Sequence, residues 1–310
     1  MKRFTSALLI VALMSVSLLL AAPAHATYHG RNGRIAFATD TGNSPQVVKT
    51  IKRDGSELTG IAWNAFDPNW SPDGNKIVFA RFHEGALTVC SIEMSDPDGS
   101  GAVDLTGAHP GCDSGPSFTP DGSAIVFIHR CDGCSRQVIW RMDLQGGART
   151  RISGVPLHVE VNDPNVSPDG RTIAFQGQRS ETRRALFTMR MNGSHRRRIT
   201  SFALSVGSRI DWAPNGAHIV FSEYQNGGPG NTALVRPDGS GFVQVTHLNG
   251  DVGAGGAVYS PDGRWILYRR QNSATGKYSI WKMHPDGSHR TRIRGIAVNV
   301  CCLDWGPRPE

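Results

Sequence analysis

Three absences frame this chain of 310 residues. After residue 26 no apolar run approaches the roughly 20 residues a membrane-spanning helix needs, which excludes a bilayer-embedded helical body. No long stretch carries apolar residues at helical spacing; the apolar runs are short and β-branched, which argues against a helical solenoid. The signatures of common catalytic centres are also missing: there is no G-x-S-x-G nucleophile elbow, no H-E-x-x-H and no P-loop. Charge is sparse, at 19% Asp, Glu, Lys and Arg. The formal balance of +7 is mild, and no aromatic residues interleave the arginines as they would in a base-stacking surface, so no nucleic-acid partner is expected.

The one long apolar run lies at the start. Lys2 and Arg3 precede Ala7 to Ala22, and Ala24-His25-Ala26 fits a small-x-small cleavage site. Residues 1–26 therefore read as a signal peptide, and the remaining body as exported, secreted or periplasmic, with cleavage near Ala26. No cysteine stands at the cleavage point to carry a lipid anchor.

What is abundant is glycine and proline, 36 and 18 residues, and they fall at regular intervals. The phrase DPNWSPDGNKIVF at 67–79 returns as GPSFTPDGSAIVF and DPNVSPDGRTIAF. Its marker proline falls at Pro72, Pro120, Pro168, Pro214, Pro261 and Pro307, at intervals of 48, 48, 46, 47 and 46. Such a period indicates a propeller or a solenoid. Each unit has an aromatic or apolar residue two before the proline, a tight turn that uses Pro and Gly for their φ preferences, and a β-type run such as Ile77-Val78-Phe79. A third run follows, such as Val138-Ile139-Trp140, then a Gly turn such as Asp238-Gly239-Ser240 and a short fourth run. Residues 27–310 are thus expected to be all-β: a six-bladed β-propeller with four antiparallel strands, a to d, per blade. Gly33-Arg34-Ile35-Ala36-Phe37 matches strand b and Leu303-Asp304-Trp305-Gly306-Pro307 matches strand a. The C-terminal strand is therefore predicted to pair with the N-terminal strands and close the ring.

The S-P-D-G phrase with I-W-x-M, D-G-S and I-T downstream resembles the WD-like repeat of the TolB-like propeller family, over residues 33 to 307. The resemblance implies a binding or docking platform. The sequence differs from TolB in showing no separate N-terminal α/β domain, so the particular docking role of TolB is not carried over. The expectation is a secreted, non-enzymatic propeller that binds a protein or an envelope polymer, as a monomer without a transmembrane segment. The rival is a channel-mouth lyase or hydrolase using scattered His, Asp and Glu.

Alternating strand direction places the a–b and c–d turns on one face and the b–c loops and d–a crossovers on the other. The second face varies between units, and binding residues favour such loops. Asp67 and Asp163 stand at equivalent places, five before the marker proline, where the other units have Gly115, Arg209, Gly256 and Cys302. His109, Asp113, His158 and Glu160 lie in or near the crossovers just upstream. Asp67, His109, Asp113, His158, Glu160, Asp163 and Arg209 are the candidate ligand-binding residues. They suit a cationic ligand, Ca²⁺ or a transition metal, although Asp before Pro also starts ordinary turns, and no cofactor is expected. Arginines of the outer strands, such as Arg149, Arg151, Arg198 and Arg292, read as edge protection or as a surface for an anionic partner. Six cysteines in an exported chain suggest disulfides. Cys112, Cys131 and Cys134 are the candidates, since all three fall on the variable face. Cys90 is expected to be buried in strand c.

Overall fold

The computed structural model describes residues 30–39, 46–83, 86–132, 137–145, 147–152, 159–296 and 299–310. His158, Cys134 and the leader lie outside them. Among the described residues every element is a strand apart from two 3₁₀ turns, Phe202–Leu204 and Gln225–Gly227. No helix there is long and apolar enough to cross a membrane.

The strands follow the repeat. β1 (Asn32–Thr39), β2 (Val47–Ile51) and β3 (Thr59–Trp63) open the chain. Then come β4 (Ala65–Trp70), β5 (Ile77–His83), β6 (Ala86–Ser95), β7 (Val103–Asp104), β8 (Gly111–Phe118), β9 (Ala124–Cys131), β10 (Gln137–Asp143) and β11 (Arg149–Arg151). β12 (Glu160–Val166), β13 (Thr172–Ser180), β14 (Arg183–Arg190) and β15 (Arg197–Arg198) form one sheet. β16 (Asp211–Trp212), β17 (Ile219–Glu223), β18 (Asn231–Val235) and β19 (Val243–Gln244) form the next. β20 (Val252–Tyr259), β21 (Ile266–Asn272), β22 (Lys277–Met283) and β23 (Thr291–Arg292) form another, and β24 (Val300–Pro307) ends the chain. β24 pairs antiparallel with β1, matching Trp305 to Ile35 and Asp304 to Ala36.

The sheet count corrects the expectation of six separate blades. Among the described residues four sheets are four-stranded, while β4 to β11 form one eight-stranded sheet. Its two halves each run as an antiparallel set. They are joined where β6 and β8 meet in parallel at Cys90 and Cys112, a pair linked as a disulfide with Cα atoms 4.3 Å apart. This also corrects the cysteine assignment: Cys112 pairs with Cys90, in strand c of the preceding unit, and not with Cys131 or Cys134. Cys131 is likewise disulfide-bonded.

The repeated phrase earns its regularity through one hydrogen-bonded turn. Ser71 Oγ donates to Asp73 Oδ1 at 2.6 Å and accepts from the Lys76 amide at 2.8 Å; Gly74 takes φ 71°, which a side chain resists. Thr119 and Asp121, Ser167 and Asp169, and Ser260 and Asp262 repeat the side-chain bond. Behind each turn the β-branched and aromatic residues of the second strand are buried, Ile77, Val78 and Phe79 among them. They fill hydrophobic clusters between neighbouring sheets. Of the outermost strands, β7, β11, β15, β19 and β23 are only two or three residues long, while β3 runs to five. Such short, exposed, partly arginine-bearing edges discourage sheet-to-sheet pairing.

A second periodic bond ties sheet to sheet. The residue three before the marker proline accepts from the backbone amide of the aromatic or apolar residue one unit on. Asp304 Oδ2 accepts from Trp70 at 2.7 Å, Asn69 Oδ1 from Phe118 at 3.1 Å, and Asp211 Oδ2 from Tyr259 at 2.8 Å. Ser117 Oγ accepts from Val166 at 3.5 Å.

Candidate functional site

The places five before the marker prolines share one backbone conformation. Asp67, Gly115, Asp163, Arg209, Gly256 and Cys302 have φ of 51°, 57°, 49°, 63°, 59° and 58°. Each sits in the first strand of its unit or just before it. Register shifts mark the spot in β4, β8, β12 and β20. Glycine adopts this left-handed conformation readily, but Asp, Arg and Cys do so at a cost on the order of 1 kcal/mol or more each. Four such residues in register mean that the surrounding sheets hold the first strands in a bulge that turns these side chains toward one another.

The bulges bring Asp67, Asp163, Arg209 and Cys302 together, with Asp304 beside them. Arg209 spans the group: its Nη2 donates to the carbonyls of Pro68 and Cys302, each at 2.9 Å, and its backbone amide donates to Asp163 Oδ2 at 3.2 Å. Its Nε is buried without a hydrogen-bond partner. All five residues are half-buried, packed about by protein yet still in touch with solvent. Burial, reinforced by the charge of Asp67 and opposed by Arg209, pushes the Asp163 carboxyl up to about 6. Burial likewise pushes Asp304 up to about 6, against its bond from Trp70. The Arg209 guanidinium moves up despite its burial, because Asp67, Cys302, Asp163 and Asp304 favour its charge. The Cys302 thiol is pushed well up by its bond with Cys301, by burial and by Asp67. Three carboxyls around one guanidinium make an electrostatic clamp, and no activated nucleophile stands in it.

His109 and Asp113 belong to a different cluster. The Asp113 side chain is 1% exposed, and its two oxygens meet His109 Nε2 at 2.9 Å and His129 Nδ1 at 2.7 Å. Asp113 sits two residues before the ring position Gly115, on β8. Glu160 is exposed at the first position of β12. Among the described residues the candidate ligand-binding residues therefore separate: Asp67, Asp163 and Arg209 meet, His109 and Asp113 meet elsewhere, and Glu160 joins neither. Two participants were not foreseen. Asp304 was readable from its place three before a marker proline. His129 is not among the sequence candidates; β9 continues through Cys131 and sets His129 directly across from Asp113.

The family model described as the TolB beta propeller domain matches residues 68–308. The chain belongs to the TolB β-propeller family. The Tol-Pal system protein TolB of Francisella tularensis subsp. mediasiatica is 26% identical over 245 residues, covering 78% of this chain and 54% of that protein. The uncharacterized protein Atu1656 of Agrobacterium fabrum is 26% identical over 196 residues, covering 63% of this chain and 61% of its own length. The chain thus spans little more than half the length of the curated TolB-family relatives it matches. In three dimensions the crystal structure of TolB from Acinetobacter baumannii superposes with a TM-score of 0.72 at 21% identity, over 89% of this chain and 67% of that one. That likeness fixes the propeller fold.

Proposed function

We propose that this protein is an exported, non-enzymatic, six-bladed TolB-family propeller that docks a protein partner on the face of its b–c loops and d–a crossovers. Its leader is residues 1–26, cleaved near Ala26. In this reading the eight-stranded sheet counts as two blades pinned by a disulfide, and β24 on β1 closes the ring. The observation that carries the docking reading is Trp63, 68% exposed at the crossover from β3 into β4, on that face. A solvent-facing tryptophan is costly to leave in water and is among the commonest anchors of protein interfaces. Close by in the chain, the half-buried rings of Phe66 and Phe82 stack at 4.6 Å. The same face carries a cavity of about 870 Å³ lined by Arg179, Arg183, Arg184 and Arg198, which favours an acidic partner surface. Kinship with proteins named for the Tol-Pal system supports a protein partner over a small-molecule substrate. The lyase or hydrolase alternative is not favoured: Glu160 faces solvent, and Asp163 is engaged by the Arg209 backbone.

A photo-cross-linking amino acid at Trp63, compared with one at exposed Asn75 on the opposite face, tests this in envelope-bearing cells. A protease-sensitive adduct from position 63 and none from position 75 is expected. Adducts from position 75 alone, adducts that resist protease and yield to polymer-degrading enzymes, or none at either place would refute it.

A further inference from the structure

We propose that His109, Asp113 and His129 form a binding site for one divalent transition-metal ion, of the zinc type, separate from the clamp around Arg209. The ligand atoms these three residues offer all lie within 4.8 Å of one another. Two imidazoles and one carboxylate are a donor set suited to zinc, nickel, cobalt or copper, whereas calcium and magnesium prefer oxygen alone.

The hydrogen-bond pattern suits a cation. His109 Nε2 lies 2.9 Å from Asp113 Oδ2 and His129 Nδ1 lies 2.7 Å from Asp113 Oδ1. Ring protons donated to the carboxylate satisfy these contacts, and a divalent ion bound by the same three side chains would replace those protons. His109 Nδ1, 3.4 Å from the carbonyl oxygen of Pro110, can carry the ring proton when Nε2 ligates the ion, the way metal-ligating histidines are commonly oriented. Among the described residues the buried Asp113 carboxylate meets only these two imidazoles as ion-pair partners, which also favours a cation.

The three side chains are held in place. Asp113 and His129 are cross-strand neighbours in the β8–β9 pair. A side chain at Gly111, where φ is 125°, would press into the carbonyl oxygen of Arg130, so glycine lets the strands close there. The Cys90–Cys112 bridge fixes the residue before Asp113. Trp140 packs edge-on against His129, ring centroids 5.6 Å apart. The imidazoles keep 21% and 26% exposure, which leaves an open side for entry and for a water as fourth ligand. Metal–ligand distances of about 2.0–2.2 Å in a tetrahedral site require each ring to part from the carboxylate by roughly half an ångström and the ligand atoms, within 4.8 Å of one another, to draw in around the ion, a side-chain adjustment that the open side of the cluster allows.

The test uses the tag-free, oxidised full-length mature protein, stripped with chelator and titrated with Zn²⁺ by calorimetry and with Co²⁺ by visible absorption. One ion per chain at micromolar affinity or tighter is expected, unaffected by excess Ca²⁺, with the Co²⁺ band of a nitrogen- and oxygen-ligated site. His109→Ala and His129→Ala should each weaken binding by roughly 100-fold, while near-ultraviolet dichroism stays native. His109 lies in a crossover, so its variant keeps the fold even where Asp113→Asn does not. No binding at micromolar Zn²⁺ or Co²⁺, or binding that persists in the His109→Ala/His129→Ala double variant, would overturn the proposal.

Discussion

Single residues carry two separable jobs around the clamp. Asp304 holds the chain's end to the next sheet through the Trp70 amide, at 2.7 Å, and through Asn69 Nδ2, at 3.2 Å. Asp304→Ala should cost about 1–3 kcal/mol in urea unfolding, the range for a buried donor left without its acceptor. Asp304→Asn, which keeps an acceptor for the amide, should recover most of it. The pH dependence has the opposite sign from a salt-bridged carboxylate. Asp163 and Asp304 are raised from 3.8 to about 6, so the folded chain binds these protons more tightly than the unfolded one. Their contribution is complete below 3.8 and is lost as pH rises through about 6. Unfolding free energy measured between pH 4 and 7 should therefore fall more steeply in the parent than in Asp163→Asn. The Asp163 carboxyl signal in NMR should titrate near 6, and further up in Arg209→Met, where the opposing charge is gone. The turn residues Asp73 and Asp121 behave the other way. Burial works against their charge, but bonds from Ser71 and Asn75, and from Thr119 and Ser123, outweigh it and lower both carboxyls. Their contribution is present above 3.8 and is lost as pH falls through the lowered values.

At the scale of strands, legibility followed the strength of the local rule. The runs beginning at Ile77, Ile125 and Ile173 were plain because a Pro-Asp-Gly turn precedes each and β-branched residues fill it. The fourth strands are the shortest: β15 ends at Arg198, and the Ile199 amide that follows bonds to the Leu186 carbonyl outside the regular ladder. The left-handed bulges were visible only as a column of unlike residues, since no side-chain preference links Asp, Arg, Cys and Gly except the φ they share. His129 was missed because nothing local ends β9 at a stated residue; its place follows from register against β8. Gly111 sets that register. Gly111→Ala introduces both a side chain against the Arg130 carbonyl and a disfavoured φ, and should cost about 1–3 kcal/mol. Thermal unfolding of the oxidised protein checks this; a melting temperature equal to the parent's would show that β8 and β9 need no close approach there.

For the whole molecule, the period of 46 to 48 residues gave the propeller directly. It could not reveal that two units fuse into one sheet, because that junction is a parallel pairing of β6 with β8 at Cys90 and Cys112, where the disulfide also lies. Function was less legible than fold: the proposed anchor Trp63 occupies a place the repeat leaves unconstrained. The proposed ring rests on β24 lying along β1, with Trp305 Nε1 donating to the Gly33 carbonyl at 3.3 Å and Asp304 reaching Trp70 on the following sheet. The most direct test is the melting temperature of a chain ending at Cys302 beside that of the full-length protein, both oxidised and at one concentration. The closed ring predicts a drop of many degrees with loss of a single cooperative transition. An unchanged melting temperature and an equally sharp transition would contradict it.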